Sequence, residues 1–336
     1  MTELRRLLPG VALVSVIAAV AFALIQMTSL GRLGISALTL AILFGALLGN
    51  IKPAVASGPC QPGLAFAQRR LLRIGVALYG FNLSIQQIAQ VGASGIAVDV
   101  AMVVSTLAAG WWFGRRVLGM DRETVLLASA GSAICGAAAV MATLPMLQAQ
   151  DPKAAEKSSV AVAMVVLFGT LAMLLYPIFY AAIGNGHFDF GIFVGSTVHE
   201  VAQVVAIGST LGGEVAGNAV IAKMIRVMLL VPFLLLLGLA LRRRTSEGGT
   251  APLPIPWFAL MFVAMAGVNS LQILPPALVD ALRVTGMLLL TAAMASLGID
   301  TRLSRMRQAG PRPLLLGGGL FIHLIVIGGL VNWLAA

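Results

Sequence analysis

Acidic residues are scarce in this chain. Only 12 Asp and Glu occur among 336 residues, and with 22 Lys and Arg the charged fraction is 10%. Soluble domains carry about 25% charged residues, so there is too little charge here to coat a water-facing surface. Cysteine is scarcer still: Cys60 and Cys135 are too few for a disulfide framework and show no paired metal-ligand spacing. No metal and no cofactor are expected. Strand-like alternation is missing, which excludes a transmembrane β-barrel. No ATP-binding motif occurs either, so any energetically uphill work has to draw on an ion gradient.

What remains is apolar. Hydrophobic residues make up 59% of the sequence, and the mean hydropathy is +0.99. Runs long enough to cross a hydrocarbon core of about 30 Å as helices recur along the whole length. The net charge of +10 would suit nucleic acid in a soluble protein, but in a chain this apolar it points to basic cytoplasmic loops. The expected fold is therefore an all-α, polytopic transmembrane helical bundle forming a single transport domain over residues 1–336, with the lipid bilayer as its partner and no nucleic acid.

Eleven spans are predicted, at about 7–27, 34–49, 64–84, 92–113, 123–147, 158–181, 190–210, 216–240, 255–272, 278–298 and 313–334. The first is too long for a signal-peptide core and lacks a cleavage site. With the N-terminus inside, sixteen basic residues face the cytoplasm. Arg32, Lys153 and Lys157 fall outside, while Lys223, Arg226 and Arg283 lie within helices. That imbalance predicts a cytoplasmic N-terminus and an external C-terminus. Re-entry of the segment at 123–147 is left open, and the linker from Arg242 to Pro256 reads as a connector. A faint echo between Leu78–Asn82 and Ser296–Asp300 hints at inverted repeats, a common transporter plan.

Polar groups inside the apolar segments are the candidates for function. In the stretch from Gly195 to Gly208, a continuous helix would place Ser196, His199, Glu200 and Gln203 within an arc of roughly 100°. In the fifth segment, Gly131-Ser132-Ala133-Ile134-Cys135-Gly136 reads either as close helix packing or as a helix broken at the midplane to expose backbone amides to a substrate. Cys135, Glu200 and Arg226 each lie about 15 to 18 Å into a span, near the bilayer centre. Lys223 is one turn from Arg226, and the two cations outnumber Glu200. Arg226 and Lys223, with Ser132, Cys135, Gly136 and Gln203, are thus the expected contacts for a small anion. Glu200, His199 and Asp99 are the expected proton-handling groups.

Two enzymatic readings compete. His199-Glu200-Val201-Ala202-Gln203 nearly matches the zinc-protease pattern, but Gln203 replaces the second histidine ligand. Gly92-Ala93-Ser94-Gly95 has the form of a rhomboid-like intramembrane serine protease, with His323 as a conceivable base. Neither explains the midplane cations. No catalytic residue is assigned, the chain is expected not to be an enzyme, and an anion channel or sensor is the other alternative.

The stretches from Gly131 to Ala139 and from Val198 to Gly208, with Gly80-Phe81-Asn82-Leu83-Ser84 and the basic run before the third span, resemble the YeiH-type family of bacterial inner-membrane proteins, described as sulfate exporters. The resemblance covers essentially the whole chain. It implies a secondary transporter in the bacterial cytoplasmic membrane for sulfate, sulfite or a sulfonate. The exact anion, the direction of transport and any homo-oligomer are left open.

Overall fold

Each of the eleven apolar segments is helical in the computed structural model, which describes residues 3–28, 36–148, 151, 153–184, 188–242, 257–302, 304 and 310–336. No strand occurs among the described residues. Arg32 and residues 243–256 of the basic linker lie outside them. In chain order the helices are α1 (Glu3–Met27), α2 (Ala37–Ile51), α3 (Gln61–Phe66), α4 (Leu72–Tyr79), α5 (Ile85–Trp112), α6 (Arg122–Ala133), α7 (Ala137–Gln148) and α8 (Ala154–Ile183). There follow α9 (Phe190–Thr197), α10 (Val201–Leu211), α11 (Gly213–Met228), α12 (Leu230–Arg242), α13 (Trp257–Leu271), α14 (Pro276–Asp300) and α15 (Pro311–Ala335). Among the described residues, six helical stretches are long and apolar enough to cross a membrane. A π turn, Ala67–Leu71, joins α3 to α4 within the third segment.

Starts are set by side-chain caps that take up otherwise unpaired amides. Ser84 and Gln87 form a reciprocal capping box at α5, Asp121 accepts from the Thr124 amide at α6 (2.9 Å), and Asp189 accepts from Gly191 and Ile192 at α9 (2.8 and 3.1 Å). Two segments do not cross as continuous helices. The fifth breaks at Ile134–Gly136 and the seventh at Val198–Glu200, so the single polar stripe expected over Ser196 to Gln203 is divided between α9, the break and α10.

Both broken segments turn back. Lys157, at the start of α8, bonds Asp121 and Glu123 ahead of and at the start of α6 (2.8 and 3.3 Å) and Asp151 beyond the end of α7 (2.7 Å). The two ends of α6–α7 therefore share one face of the molecule, and the segment is a re-entrant hairpin. Lys153 and Lys157 accordingly lie on the same face as Arg122, which corrects their expected placement on the opposite side. Similarly, Asp189 before α9 bonds Asn218 of α11, while Gly208 of α10 packs on Ala216 of α11. Both ends of α9–α10 meet the first turns of α11. Since α8 is about 45 Å long at 1.5 Å per residue and separates the two hairpins in the chain, they enter from opposite faces and meet tip to tip. A hairpin followed by a long helix thus occurs twice, in opposite orientation.

Packing divides the helices into two bodies. In the first, α1–α4, α13 and α14 interlock; a β-carbon at Gly45, Gly49 or Gly298 would collide with the facing backbone across the α2–α14 seam. The second body contains both hairpins, α5, α8, α11, α12 and α15. Contacts between the bodies are sparse, limited mainly to α10 against α2 and α4 and to α13 against α5 and α11.

Candidate functional site

At the hairpin tips the chain must reverse without leaving polar backbone exposed to hydrocarbon. Gly136 allows this in the first hairpin: its φ of 66° is readily adopted by glycine alone, and a β-carbon there would meet the Glu200 side chain at 2.5 Å. The reversal leaves the last carbonyls of α6 and α9 without helical partners. Lys223 and Arg226 supply them. Lys223 Nζ donates to the Ile134 and Val198 carbonyls (2.8 and 2.7 Å). Arg226 donates from Nε to Ala133, from Nη1 to Ser196 and from Nη2 to Ser132, with a longer contact to Val198 (3.4 Å). Both cations are completely buried.

One face of α11 therefore caps two half-helices at once, where the negative ends of both helix dipoles converge. No ion pair joins Glu200 to either cation among the described residues. The Glu200 carboxylate turns instead to the opposite hairpin and accepts from the Ala137 amide (2.8 Å) at the positive end of α7. Its own amide donates to Gln203 Oε1 (3.1 Å), and Gln203 Nε2 donates to the Val166 carbonyl of α8 (3.3 Å). Asp99 of α5 is also fully buried, interacts electrostatically with Arg226 and Lys223, and has no hydrogen-bond partner among the described residues. With two converging helix C-termini of roughly −0.5 each and a second carboxylate nearby, the surplus positive charge inferred from sequence is offset.

A cavity of about 460 Å³ opens where the tips face the first body. The tips contribute Cys135, Ala137, Ala138, Glu200 and Val201, and the third segment contributes Gln68, Arg69, Arg70 and Arg73. No carboxylate lies within ion-pair distance of these arginines among the described residues. The Arg73 guanidinium stands 6.0 Å from the Phe258 ring centroid of α13, a cation–π distance.

Of the residues expected to hold an anion, Cys135 lines this cavity. Arg226, Lys223, Ser132, Gly136 and Gln203 do not line it: the two cations bridge the tips, the Ser132 carbonyl accepts from Arg226, Gly136 makes the reversal, and Gln203 bonds the Glu200 amide and the Val166 carbonyl. Of the three proton-handling candidates, Glu200 lines the cavity; His199 is buried with its ring 6.4 Å from that of Phe321 and no partner for Nδ1 among the described residues, and Asp99 lies deeper. The arginines were overlooked because they read as a cytoplasmic loop, although positions 69, 70 and 73 fall inside the apolar window of the third segment. The π turn, which shifts side-chain register and often marks functional sites, has no signature in composition.

Elsewhere, His323 Nε2 lies 3.3 Å from Ser105 Oγ, whereas Ser94 Oγ bonds the Val91 carbonyl of its own helix (3.4 Å). The Ser94–His323 dyad is not assembled. Arg283 pairs locally with Asp280 (3.2 Å), as its spacing suggests, and also donates to the Phe81 carbonyl (2.8 Å).

Comparison with known proteins agrees with the resemblance seen in the motifs. Residues 9–317 match the family described as Conserved hypothetical protein 698. A UPF0324 membrane protein of Yersinia pestis is 47% identical over 98% of this chain and 93% of its own length; one from Bordetella pertussis is 49% identical over 98% and 94%. The UPF0324 inner membrane protein YeiH of Salmonella typhi is 45% identical over 97% and 93%. With a fold of membrane-crossing helices and likeness to such relatives over nearly its full length, this chain is a membrane protein and belongs to the UPF0324 family.

Proposed function

We propose that this protein is a secondary-active transporter of a small anion, bound in the cavity between the hairpin tips and Arg69, Arg70 and Arg73. The observation that carries this reading is the set of arginines with no acidic partner within ion-pair distance among the described residues, lining one cavity with the N-terminal turn of α7, a combination suited to an anion. The two-body packing supports alternating access, in which one bundle moves against another around a midplane site. Lys223 and Arg226 act as positioning residues, keeping the tips intact during movement. Glu200, beside the cavity, and His199 and Asp99, behind it, are assigned the proton-coupling role.

The re-entrant topology also supports a cytoplasmic N-terminus. With Lys153 and Lys157 moved to the face of Arg122, and Arg69, Arg70 and Arg73 assigned to the cavity, the loop count is fifteen basic residues inside against Arg32 outside, a stronger bias than the straight eleven-span reading gives. In a background lacking Cys60 and Cys135, Lys153→Cys and Arg116→Cys should both resist an impermeant maleimide applied outside, while Asp280→Cys reacts. Labelling of Lys153→Cys and Arg116→Cys with Asp280→Cys protected would sink this orientation, and labelling of Lys153→Cys and Asp280→Cys without Arg116→Cys would sink the re-entrant hairpin.

The transport reading is tested in proteoliposomes with a panel of anions, with and without a pH gradient. Wild-type protein should accumulate at least one anion with gradient-dependent rate, and Arg73→Gln should abolish the flux while remaining folded. Unchanged flux through Arg73→Gln would remove the cavity from the mechanism. Binding without flux would favour a sensor.

A further inference from the structure

We infer that the ligand of this cavity is an amphipathic organic anion, a carboxylate or sulfonate head on an apolar body, and not a bare inorganic oxyanion; the inference rests on the cavity being the substrate site proposed above. Its geometry is two-sided. Arg69, Arg70 and Arg73 supply positive charge on one part of the wall, Gln68 and Glu200 add polar groups beside them, and Leu72, Val76, Met141, Val162, Phe258 and Leu297 make the apolar part. An inorganic dianion needs donors around all its oxygens, and pressing a charged oxygen against such an apolar wall without hydrogen bonds is strongly unfavourable. A head group meeting the arginines with an apolar tail turned toward Met141, Val162 and Leu297 leaves no charged atom on that wall.

Size leads to the same conclusion. A cavity of about 460 Å³ belongs with clefts for small organic ligands, roughly 300 to 1,000 Å³ and mostly apolar with a few placed polar groups. Phe258 marks the boundary between the halves. Its ring lies beside the Arg73 guanidinium, so a single side chain both orients the cation and offers an apolar surface. Neighbouring Cys135 and Val201 on the tips add no charge, and Glu200, the acid at the cavity, has one oxygen committed to the Ala137 amide.

Binding to the purified full-length protein tests this, using inorganic sulfate, methanesulfonate, butanesulfonate and benzenesulfonate in titration calorimetry. Affinity should rise along the sulfonate series by about three- to fourfold for each methylene buried, with benzenesulfonate well above sulfate. Leu297→Ala should flatten that rise, weakening butanesulfonate and benzenesulfonate more than methanesulfonate, whereas Arg73→Gln should weaken every sulfonate by about tenfold or more. Sulfate binding as tightly as benzenesulfonate, or a series with no dependence on tail length, overturns the organic-anion inference and leaves the transporter proposal standing. Absence of binding by all four overturns it together with the cavity assignment. A tail-dependent series without flux supports the inference and counts against transport.

Discussion

Two groups of cations lie within the apolar part of this chain, and they do opposite things. Lys223 and Arg226 are completely buried and spend their donors on backbone carbonyls of two broken helices. Arg69, Arg70 and Arg73 line a cavity with no acidic partner within ion-pair distance among the described residues. Depth and charge alone favoured the first group as ligand contacts. What separates the groups is the demand placed on them by nearby backbone: a broken helix in hydrocarbon creates carbonyls that have to be paired, and the nearest cations are committed before any ligand arrives.

The contrast is sharpest in Arg226→Gln. Removing one partner from such a buried, fully bonded arrangement costs about 3 to 5 kcal/mol, so detergent-solubilised protein should lose monodispersity or melt far below wild type. A wild-type melting profile would place Arg226 with the cavity group instead. Arg73→Gln is the counterpart: with no backbone depending on it, its effect on stability should stay within about 0.5 kcal/mol, as for substitutions away from buried networks, while anion binding falls. A large loss of melting temperature would erase the distinction.

Gly136→Ala asks whether tip geometry, not just cation capping, holds the hairpins together. A side chain at φ 66° is strained by about 1 to 3 kcal/mol, and the added carbon displaces Glu200 from Ala137. Melting temperature and proton coupling should both fall; a change in neither would mean the tips tolerate another conformation. The smallest expected effect is at the hairpin mouth. Bonds from Lys157 first, then from the Lys153 amide, hold the Asp151 carboxyl below the ordinary carboxylate range. At Asp121 burial pushes upward, but bonds from Lys157 and Thr124 outweigh it and the net shift is down. Depressed folded-state values give stability that is present above about pH 4 and lost as pH falls through the lowered values. Lys157→Met should reduce this acid sensitivity, detected as a smaller difference in melting temperature between pH 6 and pH 3.5.

The fold was legible where hydropathy decides the outcome. Segment boundaries such as Pro276–Asp300 and Pro311–Ala335 follow from long apolar runs between turn residues. A break within Gly131–Gly136 is one of two readings the small residues leave open, close helix packing being the other, and the structure has the break at Ile134–Gly136. Re-entry was not, since a hairpin of two half-helices has the same hydropathy and length as one crossing. The contacts of Lys157 with residues on both sides of that hairpin are set by tertiary structure, as are the neighbours of Arg73. Motif and depth single out Cys135 and Glu200, and both line the cavity. They misjudged Arg226 because a sequence shows which side chains carry donors and not which carbonyls have lost their partners.

The distance along the chain between the first hairpin and its caps has a consequence for biogenesis. Lys223 reaches back 89 residues to Ile134 and Arg226 reaches 93 residues to Ala133. At about 5 to 20 residues per second of synthesis, the α6–α7 tip waits roughly 5 to 20 s before those side chains have been made. During that interval its terminal carbonyls require water or a surrogate donor, so the nascent hairpin is expected to stay hydrated until α11 has been made. Assembly of the second body is therefore a late, concerted event, and a ribosome stalled before residue 223 should leave the first hairpin accessible to water.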